Sequence, residues 1–288
     1  SEEKEAVLGL EFLGKDGAHK IYIQIDADGK KRIQLDETVI KSITSIQKLL
    51  NVSFLSADVI RVFQENADFR RKELDRFTGI MYPDFLTQKK RYDRILKQKN
   101  TALKVGINDD ERLIWNKQLV EHGIRLVKYR KQALSLLETR LKELLEHIKP
   151  EFSPSLRLIY QYFRLDEHYT SEEDYKADLF AKLNEDSFKE SQTGYTLVGP
   201  HRDDFKIEIQ LKSLFTHFSR GINRMVAILL KLAQMIELDK EVDNFPVLLL
   251  DDTFAELDHL NKQKLVTLLE TYTTLFYSSV LEADEQLF

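Results

Sequence analysis

The chain has no cysteine among its 288 residues. Disulfide frameworks and thiol catalysis are therefore excluded, and a reducing, cytoplasmic setting is the expected one. No run of about 18 apolar residues occurs, so no membrane-spanning helix is expected. The opening Ser-Glu-Glu-Lys-Glu is acidic and has no apolar stretch behind it, unlike a secretory signal. Glycine and proline are scarce, at 10 and 5 residues, and no internal repeat or low-complexity segment is found. Net positive charge is lacking as well: the formal charge of -5 argues against a protein that coats nucleic acid by bulk charge. Any DNA contact needs a local basic patch or a surface built by dimerisation. What is present is ordinary for a globular protein with a real core, 42% hydrophobic and 32% charged residues. The length suits one large or two modest domains.

The texture of the chain changes twice. Ala6 to Phe12 and Lys20 to Ile25 are short apolar or alternating runs with turn residues after each, which predicts a hairpin or meander. Asn51 to Leu55 reads as another strand. From about residue 57 to 190 the pattern is helical. On a helical wheel of Lys89 to Lys104, Lys90, Arg94, Lys97 and Lys104 share one stripe, opposite Tyr92, Ile95, Leu96 and Leu103. A long helix is predicted from about Glu111 to Ile148, stopped by Pro150. Its near-heptad apolar spacing suggests an antiparallel arm or hairpin partner rather than a compact core helix. Tyr175 to Leu183 is a further short helix. After Thr193, strands are predicted at Tyr195 to Val198 and Phe205 to Leu211, then a buried helix at Met225 to Leu238. Val247 to Leu250, wholly apolar after Pro246, predicts a central parallel strand covered on both faces. A helix at Leu260 to Tyr272 and a strand at Leu275 to Ser279 complete a βαβ-like ending.

Leu248-Leu249-Leu250-Asp251-Asp252 is the strongest local signal. An apolar strand that ends in two carboxylates places them at the carboxyl edge of a parallel sheet, where α/β ligands bind. In a phosphate-processing site Asp251 can hold Mg²⁺ and Asp252 can polarise the attacking water. The alternative is a strand ending in acidic capping residues. Ala255-Glu256-Leu257-Asp258 follows at once, in the order of a Walker B strand and D-loop. Upstream, Phe218-Ser219-Arg220-Gly221-Ile222-Asn223-Arg224 has the form of an ABC signature, whose serine and helix N-terminal amides face a γ-phosphate. Its alternative is an ordinary serine-capped helix. A third run, Gly199-Pro200-His201-Arg202-Asp203-Asp204, answers to no structural necessity visible in the sequence.

With these residues the chain resembles the RecF family, ABC/SMC-like ATPases of bacterial recombinational repair. Arg70-Arg71 with Leu74-Asp75 resembles that family's RRxxLD segment. Ile95 to Lys104 is similar to its LKQRNxxLK helix, and Trp115 to Leu119 with Gly123 to its WxxQLxxxG segment. The resemblance spans about residues 51–279. It implies an α/β fold, an ABC-type ATPase head with an incomplete lobe I (1–56 and 193–288) and an inserted helical lobe II (57–192). It implies ATP and Mg²⁺ as cofactors of the complete protein, an ATP-dependent homodimer, DNA at single-strand/double-strand junctions, and RecR and possibly RecO as partners. In the composite sites of such a dimer, Asp251 and Asp252 are the catalytic carboxylates and Asp251 the metal ligand. Ser219, Gly221, Arg224 and Asp258 face the nucleotide. Lys90, Arg94, Lys97 and Lys104 are DNA-backbone candidates, against the alternative of a solvated helix face. His201 and Arg202 are candidates for DNA or nucleotide contact, or for holding the lobe interface, against the equal alternative of an arginine paired with Asp203 or Asp204 as a structural bridge.

The departures carry weight too. A P-loop needs Gly-x-x-x-x-Gly-Lys-Ser/Thr, and Gly14-Lys15-Asp16-Gly17-Ala18-His19-Lys20 lacks both the spacing and the final Ser/Thr. The family's P-loop lies near the N-terminus, so the chain is read either as lacking that segment or as a member that has lost it. Where the family usually carries glutamines around the signature glycine, Arg220, Ile222 and Asn223 stand. A switch histidine is missing, with Ser278 and Ser279 near its place. Negligible hydrolysis by this chain alone is the expectation. The competing expectation is a non-enzymatic DNA-binding or interaction module on a decayed ATPase head.

Overall fold

The computed structural model describes residues 6–14, 17–40, 46, 52–166, 169, 171–242 and 246–278. Three sheets appear among them. The first is an antiparallel meander of β1 (Ala6–Gly14), β2 (Gly17–Ile25), β3 (Lys31–Leu35) and β4 (Thr38–Ile40). Alternation puts Leu8, Ile23, Ile33 and Ile40 in one cross-strand row, and Leu10, Ile21 and Leu35 in the next. The second sheet is parallel, with β9 (Val247–Asp251) between β5 (Val52–Ser56) and β10 (Thr274–Ser278). The third is antiparallel and joins β6 (Arg157–Gln161), β7 (Asp204–Ile209) and β8 (Lys212–Ser213). Gln210 and Leu211 take φ of 52° and 62° to make the tight turn between the last two. The expected strands at 51–55 and 275–279 are seen as β5 and β10; Asn51 and Ser279 themselves lie outside the described residues.

The helices are α1 (Ala57–Glu65), α2 (Ala67–Met81), α3 (Pro83–Val105), α4 (Asp109–Ile148), α5 (Glu172–Glu185), α6 (Ser187–Thr193), α7 (Leu214–His217), α8 (Arg220–Val242) and α9 (His259–Tyr272). An Asn108–Glu111 capping box and a run of acids in the first turn start α4. Its 40 residues give a rod of about 60 Å. The expected hairpin partner is α3, but the expectation against a core helix is corrected here. Packing reaches α4 from α2, α3, α5, α8, α9 and β6, so its heptad positions are filled on several sides and it forms the spine of the core. Leu119, Leu126, Ala133, Leu137, Leu141 and Leu144 are all buried.

Three further expectations change. β6 lies within the stretch read as wholly helical, and it pairs with β7, so one sheet bridges residues 157–213. Residues 195–198 form no strand, because side chains satisfy their backbone. Thr196 N donates to Asn100 Oδ1 at 2.8 Å and Leu197 N to Glu190 Oε1 at 3.0 Å. Among the described residues the parallel sheet is covered on one face, where α8 and α9 pack on it. On the other face Phe54, Leu249 and Phe276 stand in one register row, with Phe54 53% and Phe276 58% exposed among the described residues.

Candidate nucleotide-facing site

Leu248 and Leu250 are buried between the sheet and its helices, which fixes the end of β9 and places Asp251 at its exposed carboxyl edge. The Ser278 hydroxyl, at the end of neighbouring β10, donates to Asp251 Oδ1. The chain then turns sharply. Asp252 has φ of 48°, in the left-handed region that a side chain disfavours. Its N–H donates to Ser278 O at 3.2 Å and its carbonyl accepts from Arg224 Nη1 at 3.3 Å. Phe254 and Leu257 sink into the core and close the turn, and Asp258 caps α9 by accepting from Asn261 N at 2.9 Å. That amide holds the Asp258 carboxyl below the usual carboxylate range.

The start of α8 packs directly on this turn. A Cβ on Gly221 would lie 2.6 Å from Glu256 O, so only glycine permits the approach. Arg224 reaches Glu256 at 3.6 Å and the exposed Arg220 reaches it at 3.8 Å. Ser219 is exposed, and its Oγ accepts from Ile222 N at 3.4 Å, a first-turn cap. Asp251, Asp252, Ser219, Gly221, Arg224 and Asp258 thus lie on one connected region at the carboxyl edge of the sheet. Arg224 points into its own chain's turn. The contacts of Ser278 and Glu256 were not foreseen; a polar residue closing the strand after the D-loop helix was the available signal.

Most of the GPHRDD run takes the structural alternative, with arginines bridged to Asp203 and Asp204. Pro200 O accepts from Arg130 Nη1 at 2.6 Å, and buried Arg130 also grips Asp75 with bonds of 2.7 and 3.0 Å. Arg70 holds Asp204 through bonds of 3.0 and 2.6 Å, and Arg71 donates to Asp203 O at 2.5 Å. The Asp203 carboxylate accepts from Tyr160 OH and Phe163 N. Gly199, at φ 130°, leaves room for Tyr92 OH, which a Cβ would approach to 2.8 Å. His201 is held by Tyr92 OH at 2.8 Å and Thr196 O at 3.2 Å, and burial lowers its pKa to about 3. The RRxxLD and GPHRDD segments are two halves of one lock. Arg202 alone points out, exposed and without a side-chain hydrogen bond among the described residues.

On α3 the structure separates two faces. Tyr92, Ile95 and Leu103 are buried, while Lys90, Arg94, Lys97 and Lys104 are exposed. Lys90, Arg94 and Lys97 make no ion pair among the described residues; Lys104 lies 4.4 Å from the centre of the Tyr195 ring. The stripe runs about 21 Å along the helix.

Among curated proteins, the DNA replication and repair protein RecF of Halothermothrix orenii is 30% identical over 279 residues, 93% of this chain and 72% of that protein. The chain belongs to the RecF family. RecF of Clostridium novyi is 28% identical over 248 residues, covering 86% of this chain and 67% of the relative. No family model matches. Among solved structures, the recombination mediator protein RecF with ATP, of the RecFOR pathway, superposes with a TM-score of 0.73 at 26% identity, over 96% of this chain and 76% of that one. An Smc head bound to the C-winged helix domain of ScpA has a TM-score of 0.52 at 14% identity, over 99% of this chain and 68% of its own, a likeness of fold alone. The ABC-type ATPase head is therefore the architecture of the RecF family chain described here. Among the described residues no helix is long and apolar enough to cross a membrane.

Proposed function

We propose that this RecF family chain acts in DNA replication and repair as part of an ATP-dependent, DNA-binding head. The observation that carries the reading is the joining of Asp251 and Asp252 to the signature segment at one sheet edge. In a dimer with a complete nucleotide site, Ser219 and Gly221 would face the γ-phosphate held by the opposing subunit. Asp251 fits a role toward Mg²⁺: its carboxylate is exposed, one oxygen is already oriented by Ser278, and magnesium needs only one or two carboxylates beside phosphates and water. The ion would supply charge neutralisation on the phosphates. Asp252, next along the chain, would polarise the attacking water. A phosphate cradle is absent from this sequence, so hydrolysis by this chain alone is expected to be negligible. Lys90, Arg94, Lys97 and Lys104 would track the backbone of DNA at a single-strand/double-strand junction, with Arg202 a further candidate. RecR and RecO are the partners the family implies, and the cytoplasm the setting.

A second reading, a DNA-binding module on a decayed head, is favoured by the signature itself, where Arg220, Ile222 and Asn223 replace the expected glutamines. Labelled junction DNA titrated with the chain, with and without ATP and Mg²⁺ and over a range of salt, separates these readings. Replacing Lys90, Arg94 and Lys97 with glutamate is expected to weaken binding and flatten the log–log salt slope by about 0.9 for each phosphate no longer neutralised. An unchanged slope would remove the stripe from the DNA interface. ATP-independent binding, equal also in the family dimer with its P-loop, would favour the second reading.

A further inference from the structure

We infer that Arg224 serves the Walker B carboxylates of its own chain as a positioning residue: from the signature helix it holds the backbone of Asp252 in its left-handed turn. The inference deepens the nucleotide-site reading above and rests on it for its functional meaning. Its geometry stands separately.

Asp252 is a residue with a Cβ at φ 48°, a conformation that persists only where its surroundings fix it. The two backbone anchors come from different elements. Ser278 O, at the end of β10, accepts from the Asp252 N–H at 3.2 Å, and Arg224 Nη1 donates to the Asp252 carbonyl at 3.3 Å. Only the second comes from outside the sheet. Arg224 is itself held. Its side chain is 14% exposed and its other nitrogen reaches Glu256 at 3.6 Å, one turn of chain beyond the carbonyl it binds. One helical turn back, Gly221 lies against Glu256 O so closely that a Cβ would sit at 2.6 Å. The first turns of α8 therefore grip the turn after β9 at two backbone carbonyls, Asp252 and Glu256, and one carboxylate.

Such a grip makes two motifs into one unit. The signature segment would answer to a phosphate held by an opposing subunit, while the turn fixes the backbone that carries Asp252 in its own chain. A shift of α8 must carry the Asp252 carbonyl with it, or break the Arg224 bond and release a strained backbone. Arg224 is thus the link by which one composite site reports to the other, and its guanidinium is committed to protein rather than to nucleotide.

A double-mutant cycle on the chain as it stands tests this without nucleotide. Asp252→Gly removes the Cβ that makes the left-handed turn unfavourable, so the turn no longer needs its anchor. Arg224→Gln is expected to lower the thermal midpoint by about 3 °C or more in the Asp252 background, and by less than half as much when combined with Asp252→Gly. Ser219→Ala, which touches neither carbonyl, should give equal shifts in both backgrounds. Arg224→Lys should restore part of the loss, since one donor can still reach the carbonyl. If Arg224→Gln unfolds the chain, Arg224→Lys is read by amide exchange, with Thr253 to Leu257 expected to exchange about tenfold faster than in the parent chain and α4 unchanged. Equal Arg224→Gln shifts in both backgrounds, no shift at all, or unaltered exchange in the lysine variant would overturn the inference. Failure of the nucleotide reading shows elsewhere, as equal DNA binding with and without ATP in the dimer, and leaves the cycle unaffected.

Discussion

Nε2 of His201 faces the Thr196 carbonyl, which can only accept, so that nitrogen carries a proton. Nδ1 is then free to accept from Tyr92 OH, and the neutral ring satisfies both neighbours. Burial is the main cause of its pKa near 3, and the cations of Arg202, Arg71 and Lys99 push the same way. The linkage has a definite sign. A histidine whose folded pKa is depressed contributes stability that is full above its unfolded value and lost as pH falls, because the unfolded chain takes up the proton first. Between about pH 7 and pH 5.5 the loss from this one ring is on the order of 1 kcal/mol. Urea unfolding of the parent chain and of His201→Gln at both pH values isolates it. The parent should lose about 1 kcal/mol more than the variant over that interval; equal losses would mean that the ring is protonated or open to water in the fold.

At the scale of elements, the place where α3, α4 and the GPHRDD loop meet depends on Gly123. A Cβ there would lie 3.2 Å from Pro200 Cγ and 3.4 Å from Tyr92 Cε2. Pro200 cannot easily retreat, since its carbonyl is bonded to Arg130 inside the core. Gly123→Ala sets this crowding against a gain of up to about 1 kcal/mol in helix propensity and should be close to neutral. Gly123→Val adds two methyls with nowhere to go and should cost about 1–3 kcal/mol. Denaturation midpoints of the two variants check the order; a valine variant as stable as the parent would show that the loop can move away. The sequence made some of this legible and hid the rest for physical reasons. β9, α8 and α9 were readable because their apolar patterns are local. β6 was not, since Arg157–Gln161 is short and its meaning depends on pairing with β7. The arm-like heptads of α4 pointed to one partner where the fold supplies several. The lock was opaque because Arg70 and Asp204 stand 134 positions apart, and Arg130 and Pro200 stand 70 apart. The site's carboxylates and signature could be named from their spacing; the grip of Arg224 on Asp252 could not, because it joins a side chain to a carbonyl 28 positions away.

For the molecule as a whole, the distribution of apolar surface is uneven. Around α4 the core is closed. On the open side of the parallel sheet, Phe54 and Phe276 flank Leu249 with more than half of each ring exposed, and the meander exposes Leu8 and Leu10. Parallel sheets are ordinarily covered on both faces, and a contiguous apolar patch on a lone chain invites either ligand or partner. The chain on its own should therefore brighten an environment-sensitive apolar dye, or associate as its concentration rises. Each large side chain removed from water would contribute about 1.5–3 kcal/mol to any layer laid over it, so the drive is not small. Phe54→Lys with Phe276→Lys changes two exposed side chains of the open row and leaves buried Leu55, Leu248 and Leu250 in place, although Phe54 also borders a cavity lined by Ala227 and Leu230 of α8. This pair of replacements should reduce both dye binding and association by at least half. Dye fluorescence and sedimentation velocity on the same samples decide the matter. A parent chain that stays monomeric and dark would show that the face is already covered in solution, and that the open row formed by Phe54, Leu249 and Phe276 does not describe it there.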